Sequence, residues 1–161
     1  MRYYFLVVRF LVLYYVSRFI IKMKIIIKGN PKQKQSAKFA KVGNFIKSYQ
    51  PRELMNIIAY MKSEIRQQLP NDFKPITGEI IIKEIVFTFA PLKSWSKKKL
   101  RALEDGEILY KITKPDIDNL CKNLFDCCNG LLWCDDSRIV EIKNIKKVYG
   151  LVPQTKLVIE E

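Results

Sequence analysis

Lys114-Pro115-Asp116-Ile117-Asp118-Asn119-Leu120-Cys121-Lys122-Asn123-Leu124-Phe125-Asp126 leads to Asn129-Gly130 and then to Trp133-Cys134-Asp135-Asp136-Ser137. Pro115 biases Lys114 away from the helical region, so the chain arrives extended. Asp116 or Asp118 can then cap a helix by accepting a hydrogen bond from an orphan N–H of the first turn. Ile117, Leu120, Cys121, Leu124, Phe125 and Cys128 recur at helical spacing and form one apolar stripe. Asp118, Lys122 and Asp126 are spaced by four and stack on another face, with Lys122 between two carboxylates. Asn129-Gly130 supplies a left-handed stop. Leu131-Leu132-Trp133 is a short apolar run, and Asp135-Asp136-Ser137 reads as a turn before a strand. The chain therefore has room to return and bring Asp135 or Asp136 to the helix start, where three or four carboxylates would converge beside a lysine. A surface salt-bridge ladder explains Asp118, Lys122 and Asp126 equally well. It leaves Asp116 and the Asp135-Asp136 pair without a purpose.

Five of the chain's sixteen acidic residues lie in that segment, although the 161-residue protein carries a formal net charge of +13. Crowded carboxylates raise one another's pKa unless a cation sits between them. Positive surface for a polyphosphate and negative ligands for Mg²⁺ are together what a nuclease needs. The chain has no histidine, which excludes a Ser/His/Asp triad, and it has no Gly-rich phosphate loop. Cys121, Cys127, Cys128 and Cys134 lack paired C-x₂-C spacing, which argues against zinc. Cys121 and Cys128 fall on the apolar stripe, where free thiols behave as small hydrophobes. A reducing cytoplasm, bacterial or that of a phage-infected host, is the simplest home.

Working outward, Met23–Lys28 reads as an Ile-rich strand turned by Gly29-Asn30-Pro31. The tract from Lys32 to Lys47, with Lys34, Lys38, Lys41, Phe39 and Phe45, reads either as a phosphate-tracking loop with aromatic contacts or as a solvated one. Pro51 suits a first helical position, and Leu54, Ile58, Met61, Ile65 and Leu69 continue a core helix to Pro70. Glu79–Phe89 is a central strand, with Ile81, Ile85, Phe87 and Phe89 on one parity. Ser94–Glu104 is helical, and its Lys97, Lys98, Lys99 and Arg101 form a cationic patch suited to DNA. Asp105-Gly106 is a turn, and Arg138–Tyr149 and Thr155–Glu160 are two further strands. No repeat, low-complexity tract or linker interrupts the chain.

The central motif, together with Met23–Pro31 and the basic Lys93–Lys99 segment, resembles the RusA family of Holliday-junction resolvases, encoded largely by phages and prophages. The likeness spans residues 23 to about 150. It implies an α+β fold: one domain at 23–161, a small mixed β-sheet with flanking helices. It also implies a Mg²⁺-dependent homodimer that cuts opposed strands of a four-way DNA junction in recombination and repair. Position by position, it places the metal-binding catalytic aspartates at Asp116, Asp118 and Asp136, and a functional lysine at Lys122. The loop from Asp126 to Asp135 is compact, so Asp135 stays open beside Asp136, and Asp126 is a further acidic candidate. Lys114-Pro115 replaces the Arg pair of some members.

Residues 1–22 form an apolar extension carrying Arg2, Arg9, Arg18 and Lys22 and no acids, so the remainder still bears +9. Interrupting arginines disfavour a membrane span, and no small-residue cleavage site follows. Three readings stand: an upstream start with Met23 as the initiator, an added helix, or a membrane anchor. Two functional alternatives remain beside the nuclease. One is a non-catalytic DNA-junction binding protein, in which the acidic knot is a salt-bridge or ion site. The other is a membrane-attached accessory protein using residues 1–22.

Overall fold

The computed structural model describes residues 22–34, 38–42, 45–49 and 51–160. The extension up to residue 21 and the side chain of Lys38 lie outside what is described. Alternating residues build the sheet. Ile25 and Ile27 of β1 (Lys22–Lys28) and Thr155, Leu157 and Ile159 of β7 (Gln154–Glu160) are buried, with lysines or half-buried residues between them. β7 pairs antiparallel with β1 on one side and with β4 (Ile80–Phe89) on the other. On its far side β4 runs parallel to β5 (Ile139–Ile142) and then β6 (Ile145–Tyr149). The result is the mixed five-stranded sheet of an α+β domain, as expected.

α1 (Arg52–Gln67) starts directly after Pro51 and buries Leu54, Met61 and Ile65; it packs on β1, with Met61 and Ile65 joining Ile25 and Ile27 in the core. Full burial of such a side chain contributes about 1.5–3 kcal/mol. At its end the Gln68 amide donates to the Ile26 carbonyl (2.7 Å) and accepts from the Ile26 N–H (2.9 Å). A side chain thereby stands in for a neighbouring strand at the outer edge of β1. α3 (Ile117–Cys128) packs beside α1, burying Leu120, Cys121, Leu124, Cys127 and Cys128. All four cysteines are free. No helix among the described residues is long and apolar enough to cross a membrane.

Three expectations change. Ile80 and Ile82 face the core rather than Ile81, and the register of β4 against β7 shifts between Ile82 and Glu84. That irregularity moves the buried parity to Ile85, Phe87 and Phe89. The Arg138–Tyr149 strand is two strands, because Lys143 and Asn144 step across the same point of β4: Lys143 N–H donates to Ile82 and Ile85 N–H to Asn144 (both 2.9 Å). The basic tract is no simple loop. Lys38–Val42 (β2) and Phe45–Tyr49 (β3) pair as an antiparallel ribbon separate from the main sheet.

α2 spans Lys97–Glu104, starting three residues later than the sequence reading, and Ser96 is its cap, the Oγ accepting from the Lys99 N–H (3.3 Å). Gly106, at φ +89°, makes the turn that follows.

Candidate active site

Asp116 occupies the cap position of α3 in extended backbone geometry, and its carbonyl accepts the Leu120 N–H at 3.1 Å. Its carboxylate makes no capping bond and is exposed. An Asp at this position normally spends its side chain on an orphan N–H; here that side chain has no hydrogen-bond or ion-pair partner among the described residues. Asp118, in the first turn, accepts from Lys122 Nζ at 3.1 Å, with both side chains well exposed. That lysine bond is the main reason the Asp118 carboxyl sits below its ordinary pKa, with a contribution from the Asn119 N–H.

Lys122 does not bridge two carboxylates as the four-residue spacing suggested. Asp126 instead pairs with Lys34 Nζ at 2.6 Å. The cause is a crossing strap: the Lys34 N–H donates to Asn119 O (3.1 Å), and the buried Asn123 amide donates to Lys32 O (2.8 Å). These bonds lay residues 31–34 along α3. Two residues thus have a structural partner, Lys34 as an expected DNA contact and Asp126 as an expected extra acid.

The return of the chain is anchored by Trp133, which is fully buried. Its Nε1–H donates to Asn129 Oδ1 at 2.7 Å, and Phe125 meets its ring edge-on with centroids 6.0 Å apart. Gly130, at φ +74°, makes the turn that lets its N–H donate to the Trp133 carbonyl (2.7 Å). Beyond this knot, Asp136–Arg138 forms a single 3₁₀ turn packed against α3. Asp135 caps that turn, accepting the Ser137 N–H at 2.9 Å, and the Ser137 hydrogen bonds hold its carboxyl below the usual range. Asp136 has no such bond and is half-buried.

The 3₁₀ turn is therefore a neighbour of α3, but the expected gathering of three or four carboxylates is not formed. No group of three or more Cys, Asp or Glu side chains among the described residues stands close enough to hold a metal. Asp118 is turned to Lys122 and Asp135 to Ser137, as befits like charges without a cation between them. The donors available at Asp116, Asp118 and Asp136 are hard carboxylate oxygens, which suit Mg²⁺ or another hard divalent ion.

Two lysines escaped the sequence reading. Lys147 Nζ donates to the carbonyls of Thr113 (2.8 Å) and Pro115 (2.6 Å), immediately before Asp116. Lys111 Nζ donates to Thr113 Oγ1 (2.7 Å) and lies over the Tyr149 ring at 5.4 Å. Neither role was legible, because the Lys147 bonds and the placing of Lys111 over Tyr149 depend on the return of β6. Tyr149 in turn meets Trp95 with centroids 4.6 Å apart, and Lys99 Nζ sits 4.1 Å from the Trp95 ring centre. A continuous set of contacts thus joins the basic helix α2 to the acidic segment. Lys97, Lys98, Lys99 and Arg101 are exposed, and none takes part in an ion pair among the described residues.

A family model described as "Endodeoxyribonuclease RusA" matches residues 28–160. The "Uncharacterized protein YqaN" of Bacillus subtilis (strain 168) is 38% identical over 87 residues, 53% of this chain and 60% of that protein. The chain thus spans about three fifths of the length of this curated relative.

Proposed function

The chain belongs to the RusA endodeoxyribonuclease family, and on that footing we propose that it is a Mg²⁺-dependent endonuclease resolving four-way DNA junctions, in recombination and repair. The observation that carries the reading is the Asp116 carboxylate, which makes no capping bond at the start of the helix that carries the Asp118–Lys122 pair and packs against the Asp136 turn. Asp116, Asp118 and Asp136 would hold the divalent ion. Asp136 is preferred over Asp135, whose oxygen already accepts the Ser137 N–H. A bound ion would supply a more acidic water and charge neutralisation at the scissile phosphate. Lys122, now paired with Asp118, would donate to the phosphate oxygens, where negative charge grows in the transition state. The exposed cations of α2 track the flanking phosphates. Two copies acting together cut opposed strands, because a junction presents two symmetry-related sites. A bacterial or phage-infected cytoplasm suits the four free thiols.

The test is incubation of the purified full-length chain with synthetic four-way junctions and matched duplexes, with Mg²⁺ or with chelator. Paired nicks on opposed junction strands in Mg²⁺ alone are expected. Tight junction binding without cleavage in either Mg²⁺ or Mn²⁺ would leave a junction-binding protein and overturn the nuclease.

A further inference from the structure

We propose that Lys147 is a positioning residue that sets the affinity of the site for its divalent ion by fixing the strand that delivers Asp116. The inference rests on the nuclease reading and adds to it a residue outside the ligand set. Lys147 lies on β6, which is held by β4, the strand at the centre of the sheet. Its single ammonium group bonds two carbonyls, Thr113 O and Pro115 O, that flank Lys114. The next residue is Asp116.

Further bonds complete the clamp. The Lys111 N–H donates to the Lys147 carbonyl (2.9 Å), and Lys111 Nζ holds Thr113 Oγ1. Residues 111–115 are therefore pinned at both ends to one strand. None of the ion pairs among the described residues involves Lys147. Its neighbour Lys146 makes the opposite choice, pairing with Glu84 at 3.2 Å. A half-buried ammonium spent on carbonyls beside a candidate ligand does the work of an outer-shell partner: it fixes the backbone from which the ligand projects. Bonds from a charged donor are also stronger than neutral ones, so the segment is held firmly. Asp116 needs such outside help, because its own side chain makes no capping bond to set its direction.

The experiment measures Mn²⁺ binding to the DNA-free full-length protein by the paramagnetic resonance signal of the free ion. Junction affinity without divalent ion and melting temperature are measured alongside. Lys147→Met should weaken Mn²⁺ binding about ten- to a hundredfold, the usual effect of losing an outer-shell partner. Junction affinity should hold, and cleavage should recover at high ion concentration. Lys147→Arg should restore much of the ion affinity, and Lys146→Met should leave it unchanged. Wild-type Mn²⁺ affinity in Lys147→Met overturns the proposal. If that variant does not fold, Lys111→Met decides: a smaller loss in the same direction supports the clamp, and none overturns it. A wild-type protein that binds Mn²⁺ yet cuts no junction would fail the nuclease reading alone, since the ion-binding comparison is made without DNA.

Discussion

Glu84 and Glu160 on the sheet, and Asp116, Asp118 and Asp136 around α3, are carboxylates of one basic protein in opposite circumstances. Glu84 is held between Lys146 and Lys156, and Glu160 between Lys83 and Lys143. Each is thereby pulled below the ordinary carboxyl range, foremost by Lys156 for Glu84 and by Lys143 for Glu160. Around α3, one lysine serves Asp118, and Asp116 lacks even the capping bond its position offers. A chain with 29 lysines and arginines does not lack cations for its acids. It gives Glu84 and Glu160 two lysines each, and gives Asp116 and Asp136 no ion pair among the described residues.

The sharpest way to break this contrast is Asp118→Asn. Turnover should fall on the order of a thousandfold, ~4 kcal/mol of barrier, while junction binding holds or tightens because a negative charge near phosphate has gone. Near-normal cleavage would place Asp118 with the structural acids. Lys122→Ala should come next, lowering the rate at saturating junction about a hundredfold with less change in affinity, since its charge is used in the transition state. A fall in affinity with an unchanged saturated rate would make it an ordinary phosphate contact.

Neutralising Lys97, Lys98 and Lys99 together should act on binding alone. The slope of log affinity against log salt should flatten by roughly 0.7–0.9 for each phosphate that these lysines no longer neutralise. Preference for a junction over duplex should survive, because shape rather than charge sets it. An unchanged slope would mean that these lysines only face solvent.

The smallest effect belongs to the sheet. Glu84→Gln should leave cleavage alone and cost ~1 kcal/mol or less of stability at neutral pH. Because the folded pKa of Glu84 is depressed, its contribution is full above the unfolded carboxyl value of about 4.3 and is lost as pH falls through the lower folded value. Melting curves of the variant should therefore approach those of the wild type in acid. A constant gap at every pH would show that packing, not charge, links Glu84 to the sheet.

What could be read from the sequence was local. The α3 stripe from Leu120 to Cys128 and the Gly130 stop depend on neighbours within a few residues and stand where the spacing put them, whereas Ile117, expected on the stripe, is exposed at the helix start. The parity of β4 did not carry through, because a register shift is defined by the partner strand and leaves Ile81 looking as apolar as Ile82. The ribbon of β2 and β3 was hidden by lysines on both parities, although Gly43-Asn44 between two apolar-bearing runs was an available hairpin signal. At the site, residue types were legible and commitments were not. Lys34 on Asp126, Ser137 on Asp135 and Lys147 on two carbonyls all depend on how the finished chain folds back.

The two tryptophans sit at opposite ends of this arrangement. Trp133 is sealed in the knot between α3 and the Asp136 turn, whereas Trp95 is half-buried under the ammonium of Lys99 on the basic helix. The protein therefore carries two fluorophores with separate audiences. Iodide should reach Trp95 far more readily than Trp133, so emission removed by the quencher should report events at α2, and the remainder the integrity of the acidic segment. Docking of DNA and collapse of the site can be followed in one cuvette, on the unmodified chain, as two signals that need not move together.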